Sequence, residues 1–164
     1  MDKKTPTQIA TMLNDYKPGY LPEPLFISIA RLAVLTAIEF IPLRKGQDGT
    51  VEVLLFERPT TDPIWPSMLH TPGTILLATD NSFEDGFKRL FNDELATDEL
   101  IVPIFSGINM IHHKRGTGVT IEYILNINKE YNGGKFYDVQ DLPSNFIVEQ
   151  IDLVKRAAEK FKSL

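Results

Sequence analysis

The sequence predicts an α/β or α+β fold in which a mixed sheet lies between helices. Segments rich in β-branched and other apolar residues recur along the chain, among them residues 51–58 and 119–127. Helical patterns stand before, within and after this strand series, the last over residues 144–162. With 164 residues the chain is long enough for one buried core and short for two, so we expect a single domain over residues 1–164.

The composition excludes several classes of function. The chain has no cysteine, which excludes disulfides, thiolate metal sites and a cysteine nucleophile. No uninterrupted apolar run reaches the roughly 18 residues of a bilayer-spanning helix, so no membrane association is expected. The formal charge of −5 argues against general nucleic-acid binding but allows a local basic pocket for a small phosphorylated ligand. Since the N-terminus lacks the apolar core of a secretory signal, a cytoplasmic location is expected.

Residues 1–24 are predicted to form a helical extension. Thr5 or Thr7 can cap a short helix, which the breakers Pro18 and Gly19 end before a proline-rich turn at residues 21–24. Three apolar residues share one face of this helix: Ile9, Met12 and Leu13. An apolar face on an extension suggests docking, and a homodimer is one arrangement that would cover it.

The first half of the strand series starts at residues 33–42. Apolar residues do not alternate strictly there, which indicates a strand buried on both faces or a helix-to-strand junction. Glycine and aspartate in residues 45–50 predict a tight turn, so residues 51–58 should pair back antiparallel. Residues 59–68, with three prolines, predict a surface loop, and residues 75–78 a short strand.

The second half contains strand patterns at residues 100–105 and 119–127. Between them, residues 110–118 predict a basic hairpin tip. Residues 132–134 predict another turn, and residues 144–162 a terminal helix with an apolar stripe.

Residues 72–97 form a segment of unusual pattern. A Pro-Gly turn, an apolar tetrad and a polar break lead into an amphipathic helix, with Ser82 as predicted N-cap and Asp85 as its capping partner. Five side chains then share one helix face: Phe83, Phe87, Leu90, Phe91 and Glu94. The carboxylate of Glu94 therefore lies on an otherwise apolar face.

This segment resembles the signature of the Nudix hydrolases. That signature is a glycine, a glutamate after five residues, and then Arg-Glu-apolar-x-Glu-Glu-x-Gly on a helix. The matching run here is Arg89-Leu-Phe-Asn-Asp-Glu-Leu-Ala96. The surroundings are also similar to the family: a strand ending in Arg58, a loop with Trp65 before the turn, and residues 138–143 leading to a terminal helix. The resemblance covers residues 33–164 and implies a Nudix-like α/β/α sandwich behind the N-terminal helical extension.

The signature is degenerate in this chain. Its first helix glutamate corresponds to Leu90, and its upstream glutamate approximately to Asn81, with one extra residue between turn and helix. The second glycine of the turn is Thr74, and the closing glycine is Ala96.

The resemblance implies a pyrophosphohydrolase that acts on a nucleoside diphosphate linked to another moiety. It implies Mg²⁺ or Mn²⁺ held by Asp93 and Glu94, with Asp93, Glu94 and Arg89 as catalytic residues. Arg89 could orient Glu94 or pair with Asp85 one turn earlier, or it could form an ordinary surface or semi-buried ion pair. One alternative is a catalytically silent Nudix-like module that binds a ligand or regulates. A further alternative is a structural domain in which Asp93 and Glu94 are an ordinary solvated helix end.

Four residues are candidates for substrate binding. Arg58 ends its strand near the expected pocket and could hold a phosphate, or be an edge-strand charge. Trp65 could stack on a base or cover the core. His70 could face the pocket or make a structural hydrogen bond. Arg115, with residues 112–114, could grip a phosphate or belong to an exposed hairpin tip.

Overall fold

Seven strands and four helices make up the part of the chain that the computed structural model describes, residues 4–164. The helices are α1 (Pro6–Leu13), α2 (Glu23–Ala30), α3 (Phe83–Arg89), which continues as a π-helical turn (Leu90–Leu95), and α4 (Ile151–Lys162), which follows a short 3₁₀ turn (Val148–Gln150). The strands are β1 (Leu35–Lys45), β2 (Val51–Glu57), β3 (Leu69–His70), β4 (Gly73–Ile75), β5 (Ile104–His113), β6 (Gly116–Asn126) and β7 (Lys135–Asp138). None of the helices in this range could cross a bilayer.

The strands form a mixed sheet with the order β3-β2-β1-β6-β5, with β4 paired to β1 and β7 to β2. The predicted hairpin of β1 and β2 is confirmed, with Leu43 opposite Val53. β1 also pairs in parallel with β6 over nine residue pairs, from Leu35 and Gly118 to Leu43 and Asn126. β1 is therefore the central strand, with neighbours on both sides.

Helices cover the two faces of this sheet. On one face Ile41 and Leu43 of β1 belong to a core cluster with α4. On the other face Ile38 and Phe40 belong to a second cluster that includes Leu90 after α3. Because residues from both faces of β1 are buried, its sequence lacks alternation. The α/β/α sandwich implied by the resemblance is confirmed.

The N-terminal extension forms two helices. Thr5 caps α1, and its side chain and backbone exchange hydrogen bonds with Gln8 as in a capping box. None of the residues of α1 is buried. Docking of its apolar face on a partner therefore stays a prediction. The second half of the turn predicted at residues 21–24 is instead the start of α2, at Glu23. Pro24 lies in its first turn, where a backbone N–H has no helical partner in any case.

Two strand predictions need correction. The strand predicted at residues 75–78 is β4, Gly73–Ile75, because these are the residues that pair with Ala37 to Glu39 of β1. The strand predicted at residues 100–105 begins only at Ile104 and continues through the predicted hairpin tip to His113, since β6 offers it partners along that whole length. The tip is thus shortened to residues 114–115.

One helix start and one helix cap also differ from prediction. α4 begins at Ile151, not at residue 144, because the backbone of Asn145 and Ile147 forms hydrogen bonds of 2.9 Å with Leu69 of β3 in place of helical ones. Ser82 occupies the N-cap of α3, but its hydroxyl makes no capping bond. Asp85 accepts a hydrogen bond from the backbone N–H of Asn81 at 3.0 Å instead.

Ala96 ends the π-helical turn in a left-handed conformation, with φ 49° and ψ 52°. A Cβ disfavours this conformation by roughly 1–2 kcal/mol, which a glycine avoids at some entropic cost in the unfolded chain. We therefore expect Ala96→Gly to raise the free energy of unfolding by roughly 0.5–1 kcal/mol. Urea denaturation of the two proteins measures this difference. A less stable variant would show that Ala96 makes contacts that outweigh its backbone strain.

Candidate functional site

A cleft lies over the half of the sheet where β1 and β6 begin. Its inner chamber, of about 170 Å³, is bounded by α2, the loop of residues 59–68, the β5–β6 hairpin and the 3₁₀ turn before α4. Its outer chamber, of about 360 Å³, opens beside residues 20–27. Seven residues line both chambers and make them one cleft: Phe26, Arg58, Gly73, Thr74, Ile75, Glu94 and Arg115.

The cleft brings together five of the seven site residues predicted from the sequence: Arg58, Trp65, His70, Glu94 and Arg115. Trp65 and His70 line only the inner chamber and not the outer one. The other two predicted residues, Arg89 and Asp93, line neither chamber. Helix α3 therefore contributes to the cleft mainly through Glu94.

Arg89 has partners other than those expected. It forms an ion pair with Asp80, with Nη2 and Oδ2 2.9 Å apart, and donates to the carbonyl of Ile75 at 3.0 Å. Of the alternatives that the sequence left open, this is the ordinary ion pair and not a contact with Asp85 or Glu94, because the loop between β4 and α3 folds back to place Asp80 next to the guanidinium. Arg89 thus fastens this loop to the helix.

The carboxylates of the helix are not gathered into one site. Leu90 is 1% exposed and packs in the core, at the position of the first signature glutamate. Asp93 is exposed, whereas Glu94 lines both chambers, and burial raises the pKa of Glu94. Within residues 4–164, no three His, Asp or Glu side chains are placed to hold an ion together. A metal centre with several helix carboxylates does not fit these residues.

Two arginines and two aromatic rings form the cationic part of the cleft. Arg58 pairs with Asp62, with Nη2 and Oδ2 2.7 Å apart, and its guanidinium lies 5.8 Å from the Trp65 ring centre. The Arg115 guanidinium lies 5.0 Å from the Trp65 ring and 5.4 Å from that of Phe26. Burial, and then the charge of Arg58, lower the pKa of Arg115. Among the described residues Arg115 forms no ion pair, so its charge is available to a ligand.

His70 makes the structural hydrogen bond that the sequence left open. Its Nδ1 lies 2.7 Å from the carbonyl oxygen of Thr71, so Nδ1 carries the proton and donates. Burial, and then the positive charge of Arg58, lower the pKa of His70 to about 4. A neutral imidazole therefore lines the inner chamber at physiological pH.

Glu39, a half-buried residue of β1, places a carboxyl group in the cleft that the sequence prediction missed. It accepts hydrogen bonds from the Thr71 hydroxyl and the Gln150 amide, both at 3.3 Å. Burial above all, helped by the charge of Glu94, raises the pKa of Glu39 to about 8. Gly73 lies opposite, where a Cβ would overlap the carboxyl group. The available signal was a carboxylate within an apolar strand, since such a residue is rarely buried without a role.

The comparisons with known proteins agree with this architecture. No protein-family model and no curated protein sequence matches the chain. Solved structures do match. A mutT/nudix family protein of Listeria innocua superposes with a TM-score of 0.63 at 16% identity, over 79% of this chain and 94% of that chain. The NUDIX domain of Shewanella oneidensis NrtR, solved with ADP ribose, gives 0.58 at 18% identity over 86% and 99%.

A third match is the Ap4A hydrolase of C. elegans, with a TM-score of 0.61 at 14% identity over 79% of this chain and 99% of that chain. The architecture is therefore that of α/β/α proteins with a mixed central sheet. More specifically, the chain has the Nudix fold, as its degenerate signature implies.

The raised pKa of Glu39 predicts a dependence of stability on pH. The folded chain keeps an extra proton between the ordinary value of 4.5 and about 8, so this group's contribution to stability falls as pH rises through that range. Glu39→Gln does not titrate. We therefore expect the difference in free energy of unfolding, variant minus wild type, to increase by up to ~1.4 kcal/mol for each pH unit of rise within this window.

Thermal denaturation of both proteins from pH 4.5 to 9 measures this gain. His70 titrates in both, so the stability it loses as pH falls from 6.5 to about 4 cancels in the difference. Parallel curves for the two proteins would mean that Glu39 ionises normally.

Proposed function

We propose that this Nudix-fold chain binds a nucleoside diphosphate linked to another group, with the diphosphate next to Arg58 and Glu94. The observation that carries the proposal is the pair of guanidinium groups, of Arg58 and Arg115, around Trp65 in a cleft that also contains Glu94. Guanidinium groups bind phosphate oxygens through paired, charge-assisted hydrogen bonds. The chambers together reach the size of pockets for small organic ligands, roughly 300–1,000 Å³.

Binding without turnover is the activity that the helix supports best. Leu90 is part of the core and Asp93 is exposed, which leaves Glu94 as the carboxylate of this helix on the cleft. This agrees with a ligand-binding or regulatory module. The complex of the NrtR NUDIX domain with ADP ribose supports the ligand class, because that domain has the same fold.

Binding can be measured by calorimetry and by the rise in melting temperature with ADP-ribose, UDP-glucose and a dinucleoside polyphosphate. We expect Arg58→Ala to weaken binding of the ligand at least about tenfold, since a hydrogen bond to a charged group is removed. Arg44→Ala is the matched control, because Arg44 also combines an ion pair, with Glu52, and an aromatic contact, with Phe136, but lies outside the cleft. Equal losses in the two variants would contradict the phosphate role of Arg58.

A second candidate function is Mg²⁺-dependent hydrolysis of the same ligand, with Mn²⁺ as the alternative ion. The observation that favours it is that Glu94 keeps its place on the cleft although Leu90 does not carry a carboxylate. Mg²⁺ is often held by one or two carboxylates together with substrate phosphates, so Glu94 would be the protein ligand.

A screen for Mg²⁺-dependent release of nucleoside monophosphate tests this second candidate. If the chain is a hydrolase, Glu94→Gln should lower turnover at least about a hundredfold, while Asp98→Asn, at another exposed acid, should not. Asp93→Asn reports whether the pair predicted from the sequence acts together. Turnover that survives Glu94→Gln would refute the metal assignment, and no turnover with retained binding would favour the silent module.

A further inference from the structure

We propose that the inner chamber is a subsite for a compact anionic group, phosphoryl or carboxylate, at the end of the ligand beyond its diphosphate. The Arg115 guanidinium and the Trp65 indole N–H hold this group. The inference rests on the proposed function, because it assigns a place to each part of the same ligand. It concerns residues that the Nudix-like signature does not include.

The surroundings of Trp65 argue against its use as a platform for a nucleobase. The guanidinium groups of Arg58 and Arg115 both lie over its indole ring, at 5.8 and 5.0 Å from the ring centre. The His113 imidazole meets the ring edge-on, with 5.5 Å between the ring centres and planes inclined by 78°. Since cations occupy the ring, its free group is the N–H.

Two buried donors in this cluster have no partner among the described residues. They are Nε1 of Trp65, a residue that is only 6% exposed, and Nε of Arg115. Buried polar groups are nearly always hydrogen-bonded, and a lone unsatisfied group calls for a missing partner. Because both groups are donors and Arg115 lacks an ion pair, the partner should be an acceptor that carries negative charge.

The aromatic neighbours of Arg115 define where its guanidinium group lies. The Arg115 guanidinium lies near two rings, 5.4 Å from the centre of Phe26 and 5.0 Å from that of Trp65, and its planar fork of N–H groups can bind two oxygens of one anion. Phe26 belongs to α2, which packs against the hairpin: a Cβ at Gly116 would overlap the carbonyl of Ala30. Helix α2 thus completes the subsite from outside the Nudix-like part of the chain.

The sizes of the chambers give the orientation of the ligand. The inner chamber, about 170 Å³, is smaller than pockets for whole organic ligands, roughly 300–1,000 Å³, and so suits one small part of the ligand. The outer chamber, about 360 Å³, has room for the nucleoside. Arg58 and Glu94 line both chambers, so the diphosphate lies where the chambers meet. This leaves the inner chamber for the terminal group.

The floor of the inner chamber is compatible with an anion. Three carboxyl groups line this chamber, those of Glu39, Glu94 and Glu149. Burial keeps Glu39 protonated at neutral pH, since its pKa is raised to about 8. Gln150 and Thr71 hold this carboxyl in place. A terminal phosphoryl or carboxylate group that binds beside Glu39 therefore meets two donors and a neutral carboxyl group.

Matched ligand pairs test the inference by calorimetry, without divalent metal. UDP-glucuronate differs from UDP-glucose by a carboxylate in place of a hydroxymethyl group, and ATP differs from ADP by one phosphoryl group. We expect the more anionic member of at least one pair to bind the wild type about tenfold tighter or more. The pair that shows this difference in affinity, here called the gap, identifies the anion as carboxylate or phosphoryl.

Variants then identify the side chains that bind the anion. Trp65→Phe keeps an aromatic ring beside both arginines but lacks the N–H, and Arg115→Ala removes the cation. Each should reduce the gap to less than about threefold, since each removes a charge-assisted hydrogen bond. Lys114→Ala, at the neighbouring exposed cation on the same hairpin, should keep the gap. Melting temperatures verify that each variant is folded.

Failure of the inference can be told from failure of the proposed function. Equal binding within both ligand pairs would overturn the anionic subsite but leave nucleoside diphosphate binding in place. A gap that persists in folded Trp65→Phe and Arg115→Ala would also overturn it, because the anion would then be read elsewhere. If no ligand of either pair binds to the wild type, the proposed function fails, and the inference with it.

Discussion

The burial of β1 on both faces is the constraint on which the rest of this structure depends. Its consecutive residues Phe40 and Ile41 point to opposite sides of the sheet and belong to its two core clusters. They pack against α3 and α4 and so hold both helices in place. The same strand pairs antiparallel with β2 and β4 and parallel with β6. Glu39 comes from the middle of β1, so the strand that organises the core also places a carboxyl group in the cleft.

The cleft carries polar groups whose burial opposes stability. A neutral carboxyl at Glu39, a neutral imidazole at His70 and an unpaired guanidinium at Arg115 all lie close to the sheet. Folding alone would favour apolar side chains here, since Glu39 must take up a proton at neutral pH and Arg115 keeps a buried Nε without a partner among the described residues, and both cost free energy. Their concentration in one cleft is therefore a sign of binding.

Helix α3 keeps the place of the signature helix in the fold without the signature's full set of carboxylates. At the position of a signature glutamate, Leu90 extends the apolar face into the core. Arg89 turns away to hold Asp80 in the preceding loop. Glu94, four residues after Leu90, remains on the cleft. The helix thus acts mainly as a wall of the pocket and a support of the sheet.

The sequence by itself determined the features that depend on local pattern. These include the β1–β2 hairpin, the cap at Thr5, the amphipathic helix and the residue types of the cleft. Only the tertiary structure decided which of these residues meet. The bond between Glu39 and Gln150 joins positions 111 residues apart, and Phe26 of α2 lies next to Arg115 although β1 to β5 stand between them in the chain. Such contacts follow from strand order and helix packing, which no local spacing encodes.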